Sequence, residues 1–459
     1  MTDVHENTAA VDAAVEAAVE AAVEAAEAAE AAAAAAAQAP NAQTAPATLL
    51  LEDGTTYTGQ SCGAPGEACG EIFFNTAMIG YTEVISNPAL AGRIAVLTYP
   101  QVGNYGVALP DLECPKPPLA ALVVRDMCPT PSNFRSDLSL PDFLAMQGIV
   151  ALQGIDTRSL VLHLRQAGTM HAIISTVDAN PQSLMQKLQD AKALALNDNP
   201  VSTISTTAPY TSEGAALFEA YPQWTAPLPK ARYKVVAIDC GITKSALRHL
   251  ARAGCEVTVV PWDTSAEEVL ALKPNGVFVS GGPGNPKACT QTVKTLDALM
   301  GQLPIFALGL GHQMVALAAG AKVQALHTGH NGSNIPVMDL QSRCVYITTQ
   351  NHRYTVRFDT LGTLDADKSG GNTQHAKDGD LRFWAKQEVV PVVQNELFGA
   401  IKLTHININD GSMEGMCFVD IPVLTLQYHP AVAPDAQEPD AAYAAFVQLM
   451  QANKPGRVA

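Results

Sequence analysis

Three stretches of this 459-residue chain place residues at spacings that chemistry could use. The first is Ile305-Phe306-Ala307-Leu308-Gly309-Leu310-Gly311-His312-Gln313. An apolar run turns at a glycine corner and resumes with apolar residues at helical spacing. That is the layout of a strand, a sharp turn and a helix, which lifts a nucleophile clear of a parallel sheet. Such an elbow needs Ser or Cys at its apex, and the apex here is Gly309. The second stretch is Gly281-Gly282-Pro283-Gly284-Asn285-Pro286. Its helix-incompatible residues either hold backbone amides open toward an oxyanion or carboxylate, or simply make a tight turn. The third is His429, which follows the apolar run 423–427 and precedes Pro430. It is compatible with a general base, although a lone His is more often structural.

Other reactive residue types carry less. His327 and His330 are spaced like a metal pair, but no Cys or carboxylate stands beside them at ligand spacing, so a loop is expected and no metal. Nine Cys are scattered without a CxxC pair, as small buried residues of a reducing compartment would be. Cys240 ends an apolar run, yet nothing places it on an elbow.

The elements that must position these residues follow from patterning. With 47% apolar content the chain can fill the cores of two to four domains. Residues 1–46 hold eight acidic residues and no Lys or Arg, so half of the net charge of −16 lies there. Within 1–47 an Ala/Glu-rich low-complexity tail, with acids stacked at 12, 16, 20 and 24, leads into a polar linker. Residues 48–204 read as a compact α+β domain. It opens on a hairpin over 49–59 with Asp53-Gly54 at its turn, and adds β-rich runs at 71–75, 94–99 and 120–124 and a helix at 160–166. A Ser/Thr/Pro/Gly-containing linker spans 205–232. From 233 to 459 strands alternate with helices: strands at 234–239, 255–260 and 276–280, helices at 244–253, 265–272 and 290–300, and then the elbow. Alternation of this kind implies a doubly wound, mostly parallel α/β sheet covered on both faces. Ligands of such sheets bind at the carboxyl ends of the strands, which selects the loops at 239–241, 281–286, 309–313 and 428–431. The stretch 359–399, polar and centred on Ser369-Gly370-Gly371-Asn372, is expected to be a surface excursion. No basic stripe with interleaved aromatics speaks for nucleic acid. No apolar run approaches the ~18–20 residues of a membrane span. The N-terminus lacks a signal-peptide pattern, so a soluble cytoplasmic protein is expected.

Taken together and in this order, the motifs resemble the small subunit of carbamoyl phosphate synthetase. In the first domain the resemblance lies in Leu51-Glu52-Asp53-Gly54, Gly70-Glu71-Ile72-Phe73-Phe74-Asn75-Thr76-Ala77-Met78-Ile79-Gly80-Tyr81-Thr82-Glu83 and Leu97-Thr98-Tyr99-Pro100-Gln101-Val102-Gly103-Asn104-Tyr105-Gly106. Ser132-Asn133-Phe134-Arg135 and Gly154-Ile155-Asp156-Thr157-Arg158 continue it. In the second it lies in Gly282-Pro283-Gly284, Leu310-Gly311-His312-Gln313, Gly329-His330-Asn331-Gly332 and Gln350-Asn351-His352. The resemblance implies an N-terminal small-subunit domain followed by a class I glutamine amidotransferase domain of flavodoxin-like fold. In that family an elbow Cys attacks glutamine, a His moves the protons and a Glu two residues later orients the His. The released ammonia passes to a large subunit, which binds ATP and magnesium and makes carbamoyl phosphate for arginine and pyrimidine synthesis. No cofactor is implied for the small subunit itself.

Against that pattern the nucleophile position is Gly309 and the orienting Glu is Ala431, while His429 keeps the base position. The glutamine-binding positions by resemblance are Ala89, Gly282, Gly284, Leu310, Gln313, Asn351, Arg353 and Tyr354. Of these, Ala89 stands for a Ser, Arg353 for a Gly and Tyr354 for a Phe. Losing the nucleophile costs on the order of a millionfold in turnover. The expectation is therefore a subunit that has lost glutaminase chemistry and serves its large subunit as a structural or regulatory partner. A working glutamine-dependent subunit, or a free-standing receptor with Arg353 as anion anchor, are the other readings.

Overall fold

The computed structural model describes residues 45–195, 199–212, 214, 228–430 and 441–453. Nearly all of the expected acidic tail, much of the expected linker and Ala431 lie outside these residues.

The first part of the chain closes a seven-stranded barrel. Around it run Pro46–Leu51, Thr56–Ser61, Val150–Gln153, Ala121–Val123, Ile94–Leu97, Glu67–Asn75 and Met170–Ser175, which returns to the first strand. The opening pair is antiparallel, and its turn falls at Asp53-Gly54 as the sequence predicts. Because strand side chains alternate, each strand feeds two cores. Leu49, Leu51, Ile94, Val96, Val123 and Leu152 pack in one, with Leu160 and Leu164 of the helix Thr157–Ala167. Phe73, Ala95, Leu97, Leu122 and Ala151 pack in another, with Phe143 and Leu144 of Leu140–Met146.

The second part is built on a parallel sheet. Its central order is Cys255–Pro261, Tyr233–Asp239, Gly276–Val279, Ile305–Leu308 and Val423–Leu426. The strands Gly276–Val279 and Ile305–Leu308 are buried at every residue. Continuous apolar runs rather than alternating ones are what a strand covered on both faces requires. The helices Lys244–Arg252, Ala266–Ala271, Thr290–Leu299, Leu310–Ala318 and Ala441–Ala452 accompany this sheet. Thr243 caps the first of these, and Ser265 with Glu268 forms a capping box on the second. The expected α/β class is therefore present. Past Val423–Leu426 the same sheet continues antiparallel through Met413–Phe418, Gly399–Asn407, Lys322–Asp339 and Val345–Arg357.

Two expectations are corrected. The segment 205–232 is not only a connector, since Tyr210–Thr211 adds an antiparallel edge to Cys255–Pro261. The stretch 359–399 is not a surface excursion either. Leu361, Leu364, Leu381, Trp384 and Val393 join the main core, and Val392–Asn395 pairs with Gly399–Asn407. Its Gly- and Asp-rich centre hid widely spaced apolar anchors whose burial outweighs the polar average.

The two parts meet where a helix starts. The backbone amides of Lys244 and Ser245 donate to the Glu113 carbonyl and carboxylate, both at 3.0 Å, and Arg248 donates to the Pro110 carbonyl at 3.0 Å. A carboxylate at a helix N-terminus complements the helix dipole and takes up orphan amides. Among the described residues no helix is long and apolar enough to cross a membrane.

Phe306, fully buried on the elbow strand, meets Phe278, Tyr443 and Phe446 with ring centroids 5.2–5.7 Å apart. Phe306→Ala is expected to destabilise the protein by about 3–5 kcal/mol. The check is the shift of the urea unfolding midpoint at an unchanged slope.

Candidate active site

The strand Ile305–Leu308 delivers the chain to Gly309, which precedes the helix Leu310–Ala318 and has φ 53° and ψ −112°. Positive φ of this kind strains a residue with a Cβ, so the corner keeps the geometry of a nucleophile elbow and glycine relieves its cost. The Gly309 amide donates to the Leu426 carbonyl at 2.9 Å, which pins the corner to the neighbouring strand. A Cβ placed on Gly309 would lie 3.7 Å from His429 Nε2 and 3.3 Å from Gly281 Cα. A side-chain heteroatom one bond farther out would reach the imidazole. The apex and the imidazole thus face each other at side-chain distance, and the apex carries no side chain.

His429 is held by its backbone, whose amide donates to the Thr349 carbonyl at 2.9 Å. Burial pushes its pKa down to about 4, so the ring is neutral near pH 7. Ala431 lies outside the described residues. The alternative thiol, Cys240, is fully buried, and burial raises its pKa well above the ordinary thiol range. That makes it a protonated, inert group rather than a substitute nucleophile.

The eight glutamine-binding positions inferred from sequence all line one cavity of about 470 Å³. Ala89 comes from the barrel part and the other seven from the sheet part, so the cavity lies between the two. Gly282 is there because nothing larger fits: a Cβ would come within 2.0 Å of the Cys240 carbonyl oxygen. Gln313 is held from two sides, its Nε2 donating to the Tyr354 carbonyl at 2.8 Å and to Gln427 Oε1 at 2.9 Å. This ties the elbow helix to the strand Val345–Arg357 and to the chain just before His429. His312, beside it, points away into the core, where its Nδ1 meets Thr425 Oγ1 at 2.7 Å.

Arg353 is not a free cation. Its guanidinium pairs with the Glu71 carboxylate, which also receives Arg93 at 2.7 Å. Arg93 in turn donates to Asn331 Oδ1 at 3.1 Å and lies over the Phe73 ring at 4.3 Å. Glu71, Arg93 and His171 line the same cavity, so a charge network from both parts of the chain fills the wall where Arg353 stands. Arg353 therefore shares the single Glu71 carboxylate with Arg93. Sequence reasoning missed Glu71 and Arg93 as site residues. The available signal was a lone acid beside the apolar run Ile72-Phe73-Phe74 on a strand that must be buried.

The expected loop around His327 and His330 is instead part of the 18-residue strand Lys322–Asp339. The two residues do not act as a pair. The His327 carbonyl accepts from Thr169 at 2.9 Å, whereas His330 turns inward to Asp410, Gln350 and Glu414.

Residues 49–174 match the family "carbamoyl-phosphate synthase small chain, CPSase domain", and residues 236–449 match "glutamine amidotransferase class-I". The chain is 38% identical over 410 residues to a carbamoyl phosphate synthase small chain of Syntrophotalea carbinolica, covering 89% of this chain and 98% of that one. It is 35% identical over 411 residues to the small chain of Bacillus caldolyticus, with 89% and 98% covered. It is 37% identical over 406 residues to a pyrimidine-specific small chain of Halalkalibacterium halodurans, with 88% and 97% covered. The chain belongs to the carbamoyl phosphate synthase small-chain family. Both family models match, one on each part of the chain, and the cavity is lined from both parts.

Two outcomes follow. Glu71→Ala leaves Arg93 and Arg353 facing each other without their carboxylate, and is expected to cost about 3 kcal/mol. In a double-mutant cycle Arg353→Gly should recover part of that loss, measured by urea unfolding. Acid sensitivity is the second. Burial lowers the pKa of His249, His405 and His429 to about 4, and that of His312 to about 3. Each folded pKa lies below the unfolded value near 6.5, so the unfolded state binds more protons as pH falls. Their stabilising contribution is complete above about pH 6.5 and is lost progressively toward pH 4. Thermal melts across that window should fall steadily with acid.

Proposed function

We propose that this chain is a small subunit of carbamoyl phosphate synthase whose own glutaminase reaction has been lost, and that it serves an ammonia-using large subunit as a structural or regulatory partner. The observation that carries this reading is Gly309, an elbow apex with no side chain at the point nearest His429 Nε2. Hydrolysis of glutamine by this route needs a thiolate to attack the amide carbon and a base to shuttle the proton to the leaving ammonia. Here the base position is kept and the attacking atom is absent. His429 can polarise a water molecule, but no covalent intermediate can form on Gly309. Arg353 adds to the loss, since its side chain and its partner Glu71 line the space that a glutamine molecule would need.

The retention of a complete barrel part supports a role in a complex. Its motifs distinguish this family from amidotransferases that share only the second part, and in the family it contributes to the contact with the large subunit. On this reading the chain holds no cofactor, and ATP and magnesium belong to the large subunit. The same reading places the protein in the cytoplasm, among the enzymes of arginine and pyrimidine synthesis.

The deciding experiment reconstitutes the chain with its large subunit and measures carbamoyl phosphate formed from glutamine or from ammonium. Ammonium is expected to support synthesis, and glutamine to fall short by several orders of magnitude. Ordinary rates from glutamine without added ammonium would overturn the proposal. Gly309→Cys alone is expected to leave glutaminase activity absent, with Ala431→Glu and Arg353→Gly also required. Recovery by the single change would refute the part assigned to Arg353.

A further inference from the structure

We propose that the cavity between the two parts of the chain is a binding site for one small organic anion, whose carboxylate or phosphate group sits on the paired guanidiniums of Arg93 and Arg353. This deepens the regulatory side of the function proposed above and rests on that reading only for its purpose. Binding is measured on this chain alone, so either can fail while the other stands.

Charge is unbalanced on one wall of the cavity. Among the described residues that line it, the ionic side chains are Glu71, Arg93, Lys192 and Arg353. Lys192 is paired with Glu52, which is outside the lining. His171 also lines the cavity, and burial holds its pKa below the ordinary imidazole range, so it adds no charge near pH 7. That leaves two guanidiniums on one carboxylate. Glu71 Oε1 lies 2.7 Å from Arg93 Nη2, and its Oε2 takes Arg353 Nη1, so both oxygens are used. The other polar contact of Arg93, from Nη1 to Asn331 Oδ1 at 3.1 Å, is to a neutral amide. One positive charge stays uncompensated where Arg93 is mostly buried and Arg353 is 34% exposed. Burial, and then the closeness of Arg353, pull the pKa of Arg93 down against the attraction of Glu71, and a second anion would offset both.

Hydrogen bonding shows the same shortage of acceptors. Nε of Arg93 and Nε of Arg353 are buried without one, and Arg93 Nη2 touches Glu71 without hydrogen-bond alignment. Of the Arg353 nitrogens only Nη1 meets an acceptor among the described residues. Buried N–H groups are normally satisfied, and the edge of a guanidinium matches a carboxylate or phosphate with two parallel hydrogen bonds. Asn351 Oδ1, buried without a partner, also lines the cavity and suits a hydroxyl or amino group elsewhere on the same ligand.

The volume, about 470 Å³, fits a metabolite-sized molecule. Net charge separates such an anion from glutamine, a zwitterion whose ammonium meets the same excess of positive charge that its carboxylate seeks. Arg93 precedes the barrel strand Ile94–Leu97 and Arg353 lies on Val345–Arg357, so an anion across them ties the two parts of the chain together.

The test titrates the purified full chain by calorimetry at low ionic strength with malate, glycerol 3-phosphate and glutamine. Saturable binding of one equivalent is expected for an anion. Malate alone would assign the site to carboxylates, and glycerol 3-phosphate alone to phosphates. Glutamine should bind at least ~10-fold more weakly. Arg353→Gly should weaken the anion at least ~10-fold. Glu71→Gln, which keeps the side-chain shape and removes the competing charge, should tighten it. No saturable binding of either anion would overturn the proposal. So would glutamine binding as tightly as the anions, unaltered anion binding in folded Arg353→Gly, or weaker anion binding in folded Glu71→Gln.

Discussion

A strand buried on both faces has to hand the chain to a helix without leaving the core, and in this protein that obligation falls on Gly309. Ile305–Leu308 is covered at every residue, and the helix Leu310–Ala318 begins at once and is buried along most of its length. The turn between them has no room to spread into a loop, so it takes a conformation that costs a residue with a Cβ ~1–3 kcal/mol. Neighbouring groups impose it: the Gly309 amide is bonded to Leu426, and Gln313 is anchored to Tyr354 and Gln427. The corner is therefore a property of the packed sheet and helix, independent of whether its apex carries a reactive atom.

The cavity depends on that corner from one side and on a charge network from the other. Arg93, Glu71 and Arg353 bring two cations onto one carboxylate, with Arg93 and Glu71 mostly buried. Buried ion groups of this kind add little net stability, because desolvation offsets most of the attraction. Their effect is on register: an incorrect approach of the barrel to the sheet would leave Arg353 without its carboxylate, while Glu71 kept only Arg93. Glu113, accepting from the first turn of Lys244–Arg252, makes a second polar contact between the two parts. A glutamine-binding wall and a wall held together by Arg353 are different uses of the same surface.

Much of this was legible in the sequence where a single physical rule dominates. The parallel strands announced themselves as unbroken apolar runs, and Asp53-Gly54 marked the first hairpin turn. Of the positions read as glutamine-binding, Gly282, Gly284, Leu310 and Gln313 share one cavity because they follow neighbouring ends of the parallel strands, whereas Ala89 and the 351–354 positions reach it from the barrel part and the antiparallel extension. What failed to show was any relation between distant polar residues. Glu71 and Arg353 are 282 positions apart and meet only when the two parts are packed together. His330 had no carboxylate at ligand spacing in the sequence, yet Asp410 and Glu414 reach it through the antiparallel extension. The stretch 359–399 misled through its average polarity, since Trp384, Leu381 and Val393 are buried in the main core despite their Gly-rich neighbours.

Glycine at the apex sets two effects against each other, and their magnitudes differ by much more than their names suggest. Relief of a strained φ is worth a few kcal/mol of folding stability at most. On the proposed reading, an apex without an attacking atom would forgo on the order of a millionfold in the chemical step, about 8 kcal/mol of transition-state stabilisation. On that reading glycine is a small matter for the fold and a decisive one for the reaction, so elbow, cavity and His429 can persist around an apex with no side chain. His429 shows the same separation. Burial alone holds it neutral, and Gly309 offers no thiol beside it whose proton could be taken. An imidazole in that state still packs against Gly281 and still bonds through its amide to Thr349, so the sheet edge keeps its use for it.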